Sequence, residues 1–158
     1  MIKEAQNKLQ NLETGKSYHI KPVHHQDQDL ALYAMPLVAK KLNKNAIHNC
    51  WTFTKVRSAN NNVFKINSGS FYLTAAHWLQ VYDRKGVHVT TSYQNKPRFK
   101  WEVERNSENN TYTIKSMAIG ATSNPYLDVF NPGGVGPYKP GLIGVEKRFI
   151  LEECTPIL

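Results

Sequence analysis

Six consecutive residues, Tyr126-Leu127-Asp128-Val129-Phe130-Asn131, with Tyr138 a little further on, carry the side chains best suited to chemistry in this chain. An aromatic ring offers a flat apolar face to one side of a pyranose. A carboxylate accepts from vicinal hydroxyls, and a carboxamide both donates and accepts. Tyr126, Phe130 and Tyr138 supply the faces, Asp128 the acceptor and Asn131 the amide, so the set suits a shallow glycan site. The competing role for Asp128 is a hairpin carboxylate that caps backbone N–H groups. A more degenerate set of the same kind is Trp78, Gln80, Tyr82 and Asp83.

The segment 131–141 suggests a different chemistry. Its prolines stiffen the backbone and reduce the entropy lost on docking, while its glycines let a partner approach the main chain closely. Pro132, Gly133, Gly134, Val135 and Gly136 form the centre of a surface loop that suits a protease cleft, or else a long hairpin with no partner. Catalysis finds no comparable support. There is no Gly-x-Ser-x-Gly motif, and Gly133-Gly134-x-Gly136 lacks the Lys-Ser/Thr ending of a phosphate-binding loop. His48 and Cys50 share a strand face, but the expected role of Cys50 is a small apolar thiol near the core. His24 and His25 with Asp27 or Asp29 read as a solvated loop rather than a metal site. No catalytic residue, metal ligand or cofactor is expected.

These residues must be positioned by a chain of 158 amino acids, enough for one domain with a sizeable core. Twenty Lys and Arg against 12 Asp and Glu give a net charge of +8. The basic groups Lys40-Lys41-x-x-Lys44, Arg84-Lys85 and Lys96-x-Arg98-x-Lys100 lie far apart, and no Lys/Arg run exceeds two residues. The charge therefore reads as an aid to solubility, and nucleic acid is not the expected partner. Residues 1–11 form a polar leader without the apolar core of a signal peptide, and no stretch reaches membrane-span length. The expected location is cytoplasmic. Cys50 and Cys154 are too few for a disulfide framework and are expected as unpaired thiols.

Val, Ile, Thr and aromatic residues are frequent, and period-two alternation marks strands. They are expected at residues 17–21, 30–35, 37–42 (strand or irregular loop), 50–56, 63–67, 71–75, 80–83, 87–90, 100–104, 111–115, 125–130, 142–145 and 148–152. The couplet of an aromatic-x-apolar strand, a turn, and another aromatic-x-aliphatic strand repeats. Opening aromatics Tyr18, Phe64 and Tyr112 are separated by 46 and 48 residues, and closing aromatics Trp51, Trp101 and Phe149 by 50 and 48. Three such units, at about 12–58, 59–106 and 107–154 within a domain spanning 12–158, predict an all-β fold: a β-trefoil of about four strands per unit.

The pattern Leu12-Glu13-x-Gly15-x-x-Tyr18-x-Ile20, with Trp-x-aliphatic strands leading through Asn-rich turns to Tyr-x-Ile, resembles β-trefoil proteins of the ricin-B lectin type. It is also similar to the fungal trefoil protease inhibitors called mycocypins. In place of the first Gln-x-Trp residue of ricin-type repeats stand Asn49, Phe99 and Lys147. The resemblance implies a carbohydrate-binding, cytosolic defence protein rather than an enzyme. Its partners would be glycans or glycoproteins, bound at Asp128, Asn131, Tyr126, Phe130 and Tyr138. The second resemblance implies a protease partner at the 132–136 loop. The positions equivalent to Asp128 are expected at Thr74 and at Ala34 or Met35.

Overall fold

The computed structural model describes residues 12–57, 62–75, 86–118, 125–131, 134 and 137–157. The polar leader, the 80–83 segment and most of the 132–136 loop lie outside these residues.

Twelve strands are seen among the described residues. The first four are β1 (Lys16–Pro22), β2 (Leu30–Ala34), β3 (Leu37–Lys41) and β4 (Trp51–Lys55). The next four are β5 (Val63–Ser68), β6 (Phe71–Ala75), β7 (Val87–Thr90) and β8 (Trp101–Asn106). The last four are β9 (Thr111–Ser116), β10 (Tyr126–Phe130), β11 (Lys139–Ile143) and β12 (Phe149–Glu153). The first and fourth strands of each set build a barrel. β1 pairs with β4, β4 with β5, β5 with β8, β8 with β9, β9 with β12, and β12 returns to β1. Closure leaves no free edge in the barrel. The remaining strands form the hairpins β2–β3, β6–β7 and β10–β11. Six barrel strands and three hairpins in threefold repetition make a β-trefoil.

The repeating aromatics meet across the ladders. Tyr18 lies opposite Trp51, Phe64 opposite Trp101, and Tyr112 opposite Phe149. Two residues beyond each opener, Ile20, Ile66 and Ile114 point inward and are fully buried, as are the three closers. This is what period-two alternation requires of strands with one face in a core. Each hairpin adds a buried leucine: Leu32, Leu73 and Leu127. The indole N–H of Trp51 donates to the Leu32 carbonyl at 2.9 Å, and that of Trp101 to the Leu73 carbonyl at 3.0 Å. Phe149 occupies the third such position without a donor. The turn between β5 and β6 needs Gly69, whose φ of +58° is left-handed.

Three expectations are corrected. The Gly/Pro stretch does not stay irregular to Gly141: Lys139, Pro140 and Gly141 belong to β11. Pro140 is tolerated there because β11 is the outermost strand of its sheet, where a missing N–H leaves no ladder partner wanting. The 142–145 strand correspondingly ends at Ile143. Second, the polar loop 24–29 contains a 3-10 turn over Val23–Gln28, while of the two readings of 37–42 it is the strand that forms, over Leu37–Lys41.

Third, Cys50 and Cys154 are not thiols but form a disulfide, with Cα atoms 6.0 Å apart. Strands β4 and β12 are not paired with each other, but β1 lies between them. Trp51 and Glu153 are both opposite Tyr18, so the residue before β4 and the residue after β12 arrive at the same place.

Candidate functional site

The third hairpin carries the predicted glycan residues. Along β10, Leu127 and Val129 point into the core, so Tyr126, Asp128 and Phe130 share the opposite face. Tyr126 and Phe130 are accordingly half-buried. Asp128 is not: it is 7% exposed although it faces away from the core. The cover comes from the first unit. The 3-10 turn Val23–Gln28 places the His24 ring against the carboxylate, Nε2 to Oδ1, at 3.2 Å. The same oxygen accepts the Val129 backbone N–H at 2.7 Å.

Electrostatics set the state of this pair. Burial pushes the His24 imidazole below its ordinary pKa, and the charges of His25 and Lys147 push the same way. Asp128 and the Val129 backbone pull it up without prevailing. At neutral pH His24 is therefore a neutral N–H donor that orients a carboxylate.

An aromatic ledge continues from His24. The His25 ring lies 4.2 Å from the His24 ring, and 4.5 Å from the Tyr138 ring in an edge-on contact. Gln28 Nε2 donates to the Tyr138 hydroxyl at 3.2 Å. The Tyr138 main chain is held as well, its carbonyl accepting the Ala39 N–H at 2.8 Å. Asn131 sits half-buried at the end of β10, and its Oδ1 is shielded from solvent with no hydrogen-bond partner among the described residues. The structure thus joins Asp128 and Tyr138 through His24, His25 and Gln28. Tyr126 stands two residues to one side of Asp128 and Phe130 two to the other.

Sequence reasoning missed the first-unit contribution. His24 and His25 were expected beside Asp27 or Asp29 in a solvated loop. The available signal was two adjacent histidines in a turn-forming stretch, and nothing local tied them to a strand a hundred residues away.

The three hairpins can be aligned by geometry. The indole–carbonyl bonds make Leu32 and Leu73 equivalent, and the fully buried pairs Leu32/Ala34, Leu73/Ala75 and Leu127/Val129 extend the alignment to the third hairpin, so the residues between them, Tyr33, Thr74 and Asp128, match. Thr74 is as expected. The first-unit position is Tyr33, not Ala34 or Met35. Both counterparts serve the scaffold: the Tyr33 hydroxyl donates to the Lys41 carbonyl and accepts the Asn43 N–H, and Thr74 donates to the Tyr72 carbonyl. Of these three matched positions, Asp128 alone is a carboxylate.

Of the alternative loop, Gly134 is exposed, with φ of +70° and its N–H on the Asn131 carbonyl. Pro132, Gly133, Val135 and Gly136 lie outside the described residues, as do Trp78, Gln80, Tyr82 and Asp83. Among the described residues, no group of three or more His, Cys, Asp and Glu side chains could hold a metal. No helix among them is long and apolar enough to cross a membrane. Several expected basic residues are already engaged. Lys40 lies over the Tyr33 ring at 4.6 Å, and Lys44 is 3.5 Å from the Glu152 carboxylate.

No protein-family model matches the chain, and no curated protein matches it by sequence. Solved structures match it by shape. A mosquitocidal holotoxin aligns with a TM-score of 0.67 and 14% identity, over 91% of this chain and 18% of that one. This chain therefore spans a small part of the holotoxin's length. The BEL beta-trefoil, in an apo crystal form, aligns with a TM-score of 0.64 and 13% identity over 90% of this chain and 96% of its own. A lectin of Polyporus squamosus, bound to the influenza-binding epitope Neu5Aca2-6Galb1-4GlcNAc, aligns with a TM-score of 0.65 and 14% identity. That match covers 90% of this chain and 50% of the lectin. At these identities the likeness establishes the fold, a β-trefoil shared with lectins.

Proposed function

We propose that this β-trefoil is a carbohydrate-binding protein whose site lies on the outer face of the third hairpin, with Asp128 as the hydroxyl acceptor. One observation carries the reading: of three geometrically equivalent positions, Tyr33, Thr74 and Asp128, only the third holds a carboxylate. That carboxylate is oriented by a side chain from another unit. A structural cap would be satisfied by the Val129 N–H alone. The added His24 donor holds one oxygen still and leaves Oδ2 to accept sugar hydroxyls. It thereby does the orienting work for which this chain lacks the Gln of ricin-type repeats. Tyr138, with His25 against it, provides the face on which a pyranose stacks. The Polyporus squamosus lectin, which shares this fold over half its length and is bound to Neu5Aca2-6Galb1-4GlcNAc, supports the reading.

A defence role against glycan-bearing organisms is the biological form we favour. The Cys50–Cys154 bridge argues for assembly where disulfides persist rather than in a reducing cytoplasm.

A glycan array with wild-type protein and the Asp128→Ala variant tests the site. Hydrogen bonds to a charged acceptor contribute roughly 1.5–3 kcal/mol, so the variant loses about ten- to a hundredfold in affinity. An array on which wild type binds nothing removes the function. Glycans bound equally by Asp128→Ala would move the site elsewhere.

A further inference from the structure

On the junction of the first and third units lies a second polar cleft, of about 360 Å³, that the glycan site does not use. His19, Lys44, Asn49, Glu152 and Cys154 line it. Cys154 is therefore on the cleft wall, while its partner Cys50 does not line the cleft and is 7% exposed. The two halves of the bridge thus differ in access: Cys154 borders the cleft and Cys50 is buried.

His19 adds the chemistry. It is 4% exposed, and its Nδ1 is 2.9 Å from the Asn49 carbonyl oxygen, which can only accept. Nδ1 must then carry a proton, so the nitrogen that can accept one is Nε2. Asn49 is itself held, its Nδ2 donating to the Asn43 carbonyl at 2.8 Å, so the ring is fixed in that tautomer. The mouth of the cleft carries both signs of charge, with the Lys44 ammonium 3.5 Å from Glu152.

We propose that this cleft is a thiol-exchange site, at which a small zwitterionic thiol, such as a cysteine-containing peptide, modifies Cys154. His19 Nε2 takes the proton of the incoming thiol, because the thiolate is the nucleophile. The thiolate attacks the Cys154 sulfur, a new S–S bond forms, and the Cys50–Cys154 bond breaks. Cys50 leaves as a thiolate and recovers the proton from His19. One thiol and one disulfide become one thiol and one mixed disulfide, so no oxidant or reductant is consumed. Attack at Cys154 rather than Cys50 follows from access, and recognition from Lys44 and Glu152. The barrel survives, because β12 keeps its register on β1 from Tyr18–Glu153 to Pro22–Phe149. The Cys154 N–H also stays on the Ser17 carbonyl, at 3.1 Å, so what is released is the segment after Cys154.

The test uses the folded, oxidised full chain incubated with reduced glutathione, quenched with an alkylating agent and mapped by peptide mass spectrometry. The expected result is glutathione on Cys154 and alkylation on Cys50. His19→Gln lowers the rate at least tenfold at pH 7, with the gap closing as pH approaches the pKa of glutathione's own thiol. Glutathione found on Cys50, or no adduct on folded protein under conditions that modify the unfolded chain, overturns the site. A His19→Gln rate equal to wild type across the pH range overturns the role of His19. The position of the adduct is read on wild type, so the test stands even where the variant folds poorly.

Discussion

Replacing Trp101 by Phe should cost this protein about 3–5 kcal/mol of stability, although phenylalanine is what the third unit uses in the same place. Trp101 is fully buried, and its N–H satisfies the Leu73 carbonyl at 3.0 Å. Phenyl has three fewer ring atoms than indole. At about 0.8 kcal/mol per buried carbon-sized group, that is roughly 2 kcal/mol of lost burial. The stranded Leu73 carbonyl adds about 1–3 kcal/mol. The third unit escapes both costs because its hairpin is built around Phe149 from the start. Urea denaturation followed by far-UV circular dichroism measures the difference without depending on the fluorophore that is removed. A second variant carrying benzothienylalanine at 101 keeps the size and deletes only the N–H, and should lose about 1–3 kcal/mol. If Trp101→Phe loses under 1 kcal/mol, the cavity argument fails. If the benzothienyl variant matches wild type, the indole–carbonyl bond is not a stabilising part of the repeat.

Four further outcomes follow. Replacing Cys50 and Cys154 together by Ala removes a cross-link spanning 104 residues. The chain-entropy relation puts that loss at about 4.7 kcal/mol, visible in urea melts, together with a steeper denaturant dependence as the unfolded chain expands. Burial lowers the pKa of both His24 and His88, so the unfolded state binds more protons. Stability should therefore be full above pH 6.5 and fall as pH drops through the lowered folded values, which melting temperatures at pH 7.5 and 5.5 would reveal. Tyr18 is pushed up to about 12, first by burial and then by Glu153. Ultraviolet titration should show it ionising late, and stability should decline between about pH 10 and 12 because the folded state holds that proton longer. Gly69→Ala meets no neighbour but must hold a φ of +58°, and should cost about 1 kcal/mol by thermal or urea melting.

The barrel was legible because its code is local. Tyr18, Phe64 and Tyr112 could be matched with Trp51, Trp101 and Phe149 from spacing alone, and the ladders place each pair directly opposite. Gly and Pro misled at β11, where an outermost strand accommodates Pro140 that a central strand would reject. The alignment of Asp128 with the first unit slipped by at least one residue. The Met35-Pro36 turn has no counterpart that sequence could align, whereas the indole–carbonyl bonds single out Tyr33.

The candidate glycan residues are legible by their chemistry, and alternation puts Tyr126, Asp128 and Phe130 on one face of one strand. That much follows from the sequence itself, since the pleat turns successive side chains to opposite sides whatever the rest of the chain does. Only the tertiary structure decided what surrounds Asp128. Closing the barrel carries the turn after β1 over the third hairpin, bringing His24 to a carboxylate that the sequence left to solvent. The same closure brings β4 and β12 to either side of β1, and so joins Cys50 to Cys154. Neither contact has a periodicity to read, because each depends on where the two ends of the chain meet.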